Sequence, residues 1–324
     1  MKYLPVALTI IAFAVSCTKK HDPPPPENPG AVSVRLQLSG DFTVTETGLP
    51  MGRKASSGTA YTKTLRDSTV YAVIVYRPNG GFYYDIFSSG LFNQRDSITL
   101  LLPKTGTAKI SAFALKRGSS EGLFYTMQNG LQAFPYPLQT VMNNQMDSLH
   151  RSLQTRQWDT LSSLQVVDPA NMAQPLPFAD LPELDAYHGS TIFSVTNMAP
   201  TLTLPMRRLA FGLKLEAVNF TSGKLVIEFP QQYGPTAKTV TPADINTTQF
   251  IHSSDYFKYA DNPQQHGMTV RIRWVKTDGS SVTLGEKVIM VKRNILTKLQ
   301  VTIPGPGKTS APAGITVTDS ALSF

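Results

Sequence analysis

The stretch STVYAVIVYRPNGGFYYDIF, residues 68–87, decides the fold class. Two runs rich in valine, isoleucine, tyrosine and phenylalanine flank the sequence Pro78-Asn79-Gly80-Gly81. β-Branched and aromatic residues favour strands, and Asn-Gly accepts the positive φ angles of a tight turn that matches the twist of the flanking strands. The stretch therefore predicts a β-hairpin.

Further strands are predicted on both sides of this hairpin. Near the start of the chain, polar residues alternate strictly with the apolar residues Val32, Val34, Leu36 and Leu38, which is the period of a strand with one buried face. Residues 97–102 and 107–115 continue the β pattern, and strand-like runs resume from residue 200 to the end. Asp278-Gly279 indicates a second hairpin turn.

One segment has a helical period instead. Within TVMNNQMDSLHRSLQTRQW, apolar residues recur at i, i+4, i+7 and i+11, at positions Met142, Met146, Leu149 and Leu153. This spacing predicts a short amphipathic helix over residues 140–157. The proline-rich stretch after it, residues 168–182, is interpreted as a surface excursion.

The order of these elements favours antiparallel architecture. Alternation of strands with helices is missing, and turn signals recur about every ten residues. We therefore expect a mainly β protein with two β-sandwich domains, residues 31–198 and 199–324, and the helix in the first of them.

The beginning of the sequence is typical of an exported protein. Lys2 precedes an apolar run that is shorter than the roughly 20 residues needed to span a bilayer. Small residues then lead to Cys17, the single cysteine of the chain. Residues 1–16 are thus interpreted as a signal peptide, and Cys17 as either the lipid attachment site of a bacterial lipoprotein or a cysteine inside a cleaved signal.

Residues 17–30 are predicted to form a tether. They contain four consecutive prolines, which favour an extended polyproline conformation of about 3.1 Å per residue, or roughly 40 Å in total. Under either interpretation of Cys17 no second cysteine remains, so we expect neither a disulfide nor a cysteine-based metal site. Stability must come from apolar burial.

Charge and motifs exclude several functions. The net charge is +8, but the basic residues are scattered without interleaved aromatic residues, so nucleic acid is not an expected partner. The charge serves either contacts with anionic surface polymers and partner subunits or an ordinary solvated surface.

No catalytic or metal site is indicated by the sequence. None of the five histidines has ligand spacing, and no G-x-S-x-G sequence frames Ser190, which follows Asp185 and His188 in an expected loop. We therefore expect no cofactor, no metal and no enzymatic activity.

Two segments of the second half carry a family resemblance: LPMRRLAFGLKLEAV (204–218) and VKRNILTKLQVTIPGPG (291–307). They resemble the Bacteroidota-type fimbrillins, lipoprotein-derived subunits of type V pili. The basic strand opening the C-terminal domain is matched by Arg207, Arg208 and Ala210. The late motif is matched by Arg293-Asn294, by residues 305–307, and by the alternating residues Leu299, Val301 and Ile303.

This resemblance implies transthyretin-like or Greek-key sandwiches and assembly by donor-strand complementation. In polymerising members of this family an arginine-specific protease removes the lipidated N-terminus together with the first strand, whereas anchor and some accessory members keep the lipid. Here that strand carries Val32, Val34, Leu36 and Leu38. The implied processing site is Arg53-Lys54, which is otherwise simply an exposed basic pair. The implied donor strand carries Ile315, Val317, Leu322 and Phe324.

We therefore expect a cell-surface lipoprotein at the outer membrane that acts as a stalk, anchor or accessory subunit of a pilus. Its partners would be other fimbrial subunits, the outer membrane through the lipid anchor, and glycans or proteins of the host or biofilm. The alternative is a surface binding module for glycans or host proteins that does not polymerise. The aromatic cluster Phe82, Tyr83 and Tyr84 would serve such a module, although clusters of this kind more often pack within a hairpin.

Overall fold

The structure is a computed structural model that describes residues 31–41, 69–78, 84–116, 126–128, 130–134, 140–142, 144–147, 167–168, 171–175, 185–195, 200–230, 237–258, 265–304 and 315–321. In chain order its strands are β1 (Ala31–Gly40), β2 (Val70–Pro78), β3 (Tyr84–Phe92), β4 (Thr99–Pro103), β5 (Thr107–Lys116), β6 (Thr126–Gln128), β7 (Leu131–Phe134), β8 (Thr140–Val141), β9 (Met146–Asp147), β10 (Val167–Asp168), β11 (Asn171–Pro175), β12 (Asp185–Ser194), β13 (Thr201–Arg208), β14 (Ala210–Val218), β15 (Lys224–Glu228), β16 (Ala237–Val240), β17 (Phe250–Ser253), β18 (Gln265–Val275), β19 (Ser281–Lys292), β20 (Ile295–Thr302) and β21 (Thr316–Ala321). Two 3-10 turns, Arg95–Ser97 and Asp255–Phe257, lie between them. The prediction of a mainly β protein is confirmed.

An eight-stranded sheet forms the first part of the fold. Its strand order is β4-β1-β13-β12-β5-β2-β3-β9, so β1 lies inside the sheet and not at its edge. All neighbours are antiparallel except β1 and β13, which run parallel. The strand expected from the alternation at residues 32–39 is confirmed, but its partners lie far from it in sequence.

The sheet curls around its own core. The hydroxyl of Ser88 on β3 donates to the carbonyl of Leu101 on β4 at 2.6 Å, although the two strands are near opposite ends of the strand order. The enclosed side chains come from seven strands and include Leu36, Val73, Phe92, Leu100, Ile110, Tyr187 and Leu204. Over its described residues the curled sheet therefore encloses a core of its own.

The second part consists of two four-stranded sheets, with orders β17-β14-β20-β21 and β16-β15-β18-β19. Alternate residues of both sheets enter one common core, among them Leu213, Leu215, Leu299, Val301, Leu225, Ile227, Val270 and Ile272. The sheets thus pack face to face as a sandwich. Smaller sheets are formed by β6-β7-β8 and by β10-β11.

The strand β13 lies on the C-terminal side of the expected boundary at residue 199, yet it pairs with β1 and β12. The eight-stranded sheet therefore extends to Arg208, and β14 begins the sandwich directly after Leu209. Leu209 joins the two parts, because its N–H donates to Ala186 at 2.8 Å and its carbonyl accepts from Ser254 at 3.1 Å.

Both hairpins predicted from turn sequences have the expected strands. β2 pairs antiparallel with β3, although Asn79-Gly80 itself lies outside the described residues. β18 pairs antiparallel with β19, and Gly279 has a φ of +84° in the turn between them. The second turn is therefore confirmed at the level of the backbone.

The helix expected over residues 140–157 is wrong for the residues that the structure describes. Thr140–Val141 and Met146–Asp147 are short strands, and residues 148–157 lie outside the described part. The physical reason is that the two methionines pack into different cores. Met142 belongs to the same hydrophobic core as the sandwich residues, whereas Met146 packs against the core of the curled sheet. A helical stripe would have placed both on one face. The expected excursion after residue 168 contains the hairpin β10-β11.

Candidate functional site

The candidate site is the first-strand groove, which we define as the surface of β4 and β13 that β1 occupies. β1 is antiparallel to β4 from Ala31 opposite Pro103 to Arg35 opposite Thr99, and parallel to β13 from Arg35 opposite Thr201 to Gly40 opposite Met206. The N–H of Leu36 also donates to the carbonyl of Ile98 at 2.9 Å. β1 thus bridges two strands that would otherwise each present an unpaired edge.

Alternate side chains of β1 fill the groove. Val34, Leu36 and Leu38 are almost completely buried, and the groove contributes the buried residues Leu100, Leu102, Leu204 and Met206 to the same core. Burying an aliphatic side chain of this size stabilises the fold by about 1.5–3 kcal/mol. The apolar alternation in the sequence thus marks the buried face of this strand from Val34 onward.

Val32 differs from this pattern, since it is 39% exposed. The alternation predicted that Val32 would be buried on the same face as Val34, Leu36 and Leu38. The reason is the stagger of the sheet, because β13 begins at Thr201 opposite Arg35, so the first residues of β1 pair with β4 alone. A cavity of about 520 Å³ lies at this end of β1, between its first four residues and Lys104, Val195 and Pro200.

The other end of β1 is held by polar contacts. Gly40 has a φ of +76°, and a Cβ added there would lie 2.8 Å from the carbonyl oxygen of Met206. Glycine adopts this left-handed conformation without steric cost. The next residue, Asp41, accepts hydrogen bonds through Oδ2 from the backbone N–H of Arg208, at 3.1 Å, and from Nη1 of Arg293.

Arg293 belongs to the tight turn between β19 and β20 in the sandwich. The next residue in the turn, Asn294, has a φ of +60°, and its N–H donates to the carbonyl of Ala210 at 2.8 Å. This bond fixes the turn against β14. The sequence analysis placed Arg293-Asn294 in a family motif, but nothing in it pointed to Asp41 as the partner.

Beside the groove, a buried ion pair joins β12 to β13. Nε of Arg208 donates to Oδ1 of Asp185 at 2.6 Å, and Nζ of Lys116 on β5 lies 3.7 Å from the other carboxylate oxygen. Burial lowers the pKa of Lys116, although the Asp185 carboxylate opposes this shift. Removing one member of such a pair leaves a buried charge without its partner, which is strongly destabilising. The pair therefore fixes β13, which forms one side of the groove, against β12.

Asp185, His188 and Ser190 are the three residue types of a hydrolase triad and lie close together in the sequence. They lie on strand β12, where a loop was expected, and Asp185 is engaged by Arg208. Nε2 of His188 is 3.1 Å from the hydroxyl of Ser111, and Ser190 instead donates to the carbonyl of Ile110. The three residues therefore do not form a catalytic triad.

The C-terminal strand occupies a sheet edge. β21 pairs antiparallel with β20 from Thr316 opposite Gln300 to Ala321 opposite Ile295. Ile315 is buried and Val317 packs partly buried against the sandwich core. Lys292 pairs with Asp319 at 2.6 Å, and Nζ of Lys287 donates to the carbonyl of Ile315 at 3.2 Å. The expected donor segment is thus paired within its own chain over its described part.

Several expected site residues cannot be placed on this fold. Cys17, the basic pair Arg53-Lys54, and the residues Leu322 and Phe324 lie outside the described residues. Among the residues with described positions, no helix has the length and apolarity to cross a bilayer. No group of three or more His, Cys, Asp or Glu side chains in the same part of the chain is arranged to hold a metal ion.

No protein-family model matches the chain, and neither does any curated protein sequence. Solved structures that are similar to the chain include fimbrial and adhesin proteins of Bacteroidota. One is the fimbrial anchor protein Mfa2 from Porphyromonas gingivalis, with 8% identity, a TM-score of 0.41, and coverage of 90% of this chain and 97% of that one.

Two further structures belong to the same group. A protein of Bacteroides eggerthii, provisionally named a cell adhesion protein, has 13% identity, a TM-score of 0.39, and coverage of 90% of this chain and 95% of that one. A fimbrial assembly protein of Parabacteroides distasonis has 11% identity, a TM-score of 0.34, and coverage of 91% and 100%. At these values the functional argument rests on the chain's own residues.

Proposed function

We propose that the chain is a fimbrillin-like lipoprotein of the outer membrane that serves as a structural or adhesive pilus subunit and assembles by donor-strand complementation. The observation that carries this proposal is the position of β1. It is an interior strand of its sheet, it fills a groove with three alternate apolar side chains, and it is the first described element of the chain. Its removal would expose two strand edges and an apolar floor.

The route by which β1 would leave follows from the order of the sequence. Arg53-Lys54 lies between β1 and β2, so a cut there severs β1 from every other strand while the lipidated Cys17 and the tether of residues 17–30 stay with β1. An uncut chain keeps both strand and lipid and remains an anchor. One sequence thus supports a polymerising role and a membrane-anchoring role.

The vacated groove requires an extended segment with apolar residues at alternate positions. The candidate is the C-terminal segment of another copy, with Ile315, Val317, Leu322 and Phe324. Among the described residues β21 pairs with β20 alone, and it has few buried side chains. Transferring it into a groove between two strands would satisfy more backbone groups and bury more apolar surface.

In this proposal the chain consists of a signal peptide, a lipidated tether and two transthyretin-like or Greek-key units. The unit boundary falls at Leu209, since β13 belongs to the first sheet. The partners are other fimbrial subunits, the outer membrane through the lipid on Cys17, and surface glycans or proteins of a host or biofilm.

Digestion of the purified protein with an arginine-specific protease tests assembly. We expect release of a fragment containing β1, followed by oligomers on size exclusion and a ladder on gels. The matched control, Arg53→Ala with Lys54→Ala, should stay uncut and monomeric. A chain lacking residues 314–324 should be cut but stay monomeric. Cut protein that never oligomerises, or oligomers indifferent to the C-terminal deletion, would contradict the proposal.

Metabolic labelling with palmitate tests the anchor separately. Cys17→Ser should abolish both labelling and membrane retention, whereas Thr18→Ala should leave them unchanged. Labelling that persists in the Cys17 variant would rule out lipid attachment at this residue.

A second candidate function is a surface binding module that does not polymerise. Two observations favour it. β21 is already paired in its own sheet. The outer face of the sandwich exposes Val288 and Met290 on β19. Binding of a monodisperse, undigested monomer to a glycan array, without oligomers after digestion, would favour this function over assembly.

A further inference from the structure

At the end of the first-strand groove, where its apolar lining stops, an acidic residue of the chain contacts an arginine side chain. Oδ2 of Asp41, the residue after β1, accepts from the backbone N–H of Arg208 and from the Arg293 guanidinium. The two donors come from different parts of the fold, the last residue of β13 and the turn between β19 and β20. One carboxylate therefore joins the end of the groove to the sandwich.

We propose that Arg293 and the Arg208 N–H form a carboxylate-binding site that selects the strand occupying the groove and fixes its register. This inference rests on the proposed function, because it concerns which segment the groove accepts. The ligand class is an extended peptide with apolar side chains at alternate positions, followed by glycine and then an acidic residue.

The donors are built for this ligand. Nε of Arg293 is buried and has no hydrogen-bond partner among the described residues, so the guanidinium has a second donor beside the one used by Asp41. The turn that carries Arg293 is fixed by the bond from Asn294 to Ala210. Planar guanidinium groups favour carboxylates, and charge-assisted bonds of this kind are stronger than neutral ones.

The backbone of Met206 on β13 requires a glycine directly before the acidic residue of the bound strand. At position 40 any Cβ would meet the Met206 carbonyl oxygen at 2.8 Å, and the backbone has a positive φ. Leu38, Gly40 and Asp41 therefore act together, and a strand must carry an apolar residue, a glycine and an acidic residue at these positions to make all three contacts. A strand that slips by two residues keeps its apolar face in the groove but loses both the glycine and the carboxylate contact.

The C-terminal segment lacks this element. In GITVTDSALSF, residues 314–324, the acidic residue Asp319 directly follows Thr318 and not a glycine. The site therefore distinguishes the chain's own first strand, which satisfies Arg293, from a C-terminal donor strand, which does not. Occupancy by a donor would leave Arg293 without the carboxylate that β1 supplies.

Two measurements test this inference. In the intact chain, Asp41→Asn, Arg293→Gln and the double variant are compared by urea unfolding. Each single variant should lower the folded-to-unfolded ratio about fivefold, and the double variant should lower it little further. The exposed surface variant Arg271→Gln serves as the control and should be additive with Asp41→Asn. Additive effects of Asp41→Asn and Arg293→Gln would overturn the inference.

The second measurement uses the full chain with a specific protease site inserted between residues 53 and 54. After cleavage, labelled synthetic peptides compete for the groove: residues 31–41, the same peptide with Asp41→Asn, and residues 314–324. The first should bind about fivefold more tightly than the second. In the Arg293→Gln chain the two should bind equally, and residues 314–324 should bind with unchanged affinity.

The outcomes separate this inference from the proposed function. Equal binding of the first two peptides to the unsubstituted chain overturns the carboxylate site and leaves an exchangeable groove. Uptake of no peptide overturns the exchange itself, and the urea measurement on the intact chain then still decides whether Asp41 and Arg293 act together.

Discussion

The first and last described strands of the chain, β1 and β21, differ in how they are held. β1 lies between two strands, buries three side chains and is fixed by Asp41, whereas β21 lies at an edge and is held on one side by β20. A strand between two neighbours satisfies backbone groups on both sides, and an edge strand leaves one row to solvent. Of these two strands, β1 is therefore held more firmly within its own chain than β21.

Truncating one buried side chain in each strand should show the largest difference. We expect Leu36→Ala to lower the free energy of unfolding by about 3 kcal/mol, because Leu36 is 2% exposed in a closed core. Val317→Ala should lower it by about 1 kcal/mol, since Val317 is only partly buried at an edge. Urea unfolding of the intact chain measures both. Equal losses would remove the contrast between the strands.

A methyl group at the end of β1 should have the next largest effect. Gly40→Ala combines an unfavourable positive φ with a clash against Met206, and we expect a loss of about 2 kcal/mol. Gly106→Ala is the matched control, because Gly106 has a φ of +90° but nothing within 4 Å of an added Cβ. It should lose about 1 kcal/mol. Identical losses would show that the close approach to Met206 contributes nothing.

Acid should weaken the sandwich through His252. This residue is buried between Phe211 and Phe229, and burial, with a smaller contribution from Lys238, lowers its pKa to about 3. The unfolded chain, with an ordinary pKa near 6.5, binds the proton more readily, so stability falls as pH drops from about 6.5 toward 3. At pH 5.5 we expect a loss of about 1.3 kcal/mol relative to pH 7 from this residue.

Denaturant melts across this pH range measure the effect. His252→Phe should remove the loss, whereas His266→Gln, at a partly exposed position, should retain most of it. An unchanged pH dependence in the His252 variant would contradict the assignment.

The smallest effect is expected at the surface of β21. Lys292 and Asp319 form an ion pair whose side chains are partly exposed, so Lys292→Gln should cost at most about 0.5 kcal/mol. Raising the salt concentration should abolish even this difference. A loss as large as that of Leu36→Ala would mean that β21 is held as firmly as β1.

The sequence predicted those elements that depend on local patterns. The alternation from Val34 to Leu38 marked the buried face of β1, and the Asp278-Gly279 turn fixed the hairpin β18-β19. These signals arise from side-chain period and turn geometry, which are properties of neighbouring residues.

Other features depend on residues far apart in the chain and could not be predicted in this way. The parallel pairing of β1 with β13 sets the boundary of the first sheet, and the contact of Asp41 with Arg293 joins the two parts of the fold. The false helix has the same cause, because Met142 and Met146 follow a helical spacing but pack into two different cores.

Hydrogen–deuterium exchange before and after cleavage between β1 and β2 tests most directly whether β1 is an exchangeable strand. In the intact chain, we expect slow exchange of the amides in Thr99–Pro103 and Thr201–Arg208, which flank β1. After cleavage this protection should fall, and an added peptide of residues 31–41 should restore it. Protection of both strands that stays unchanged after cleavage, with no uptake of peptide, would contradict the account.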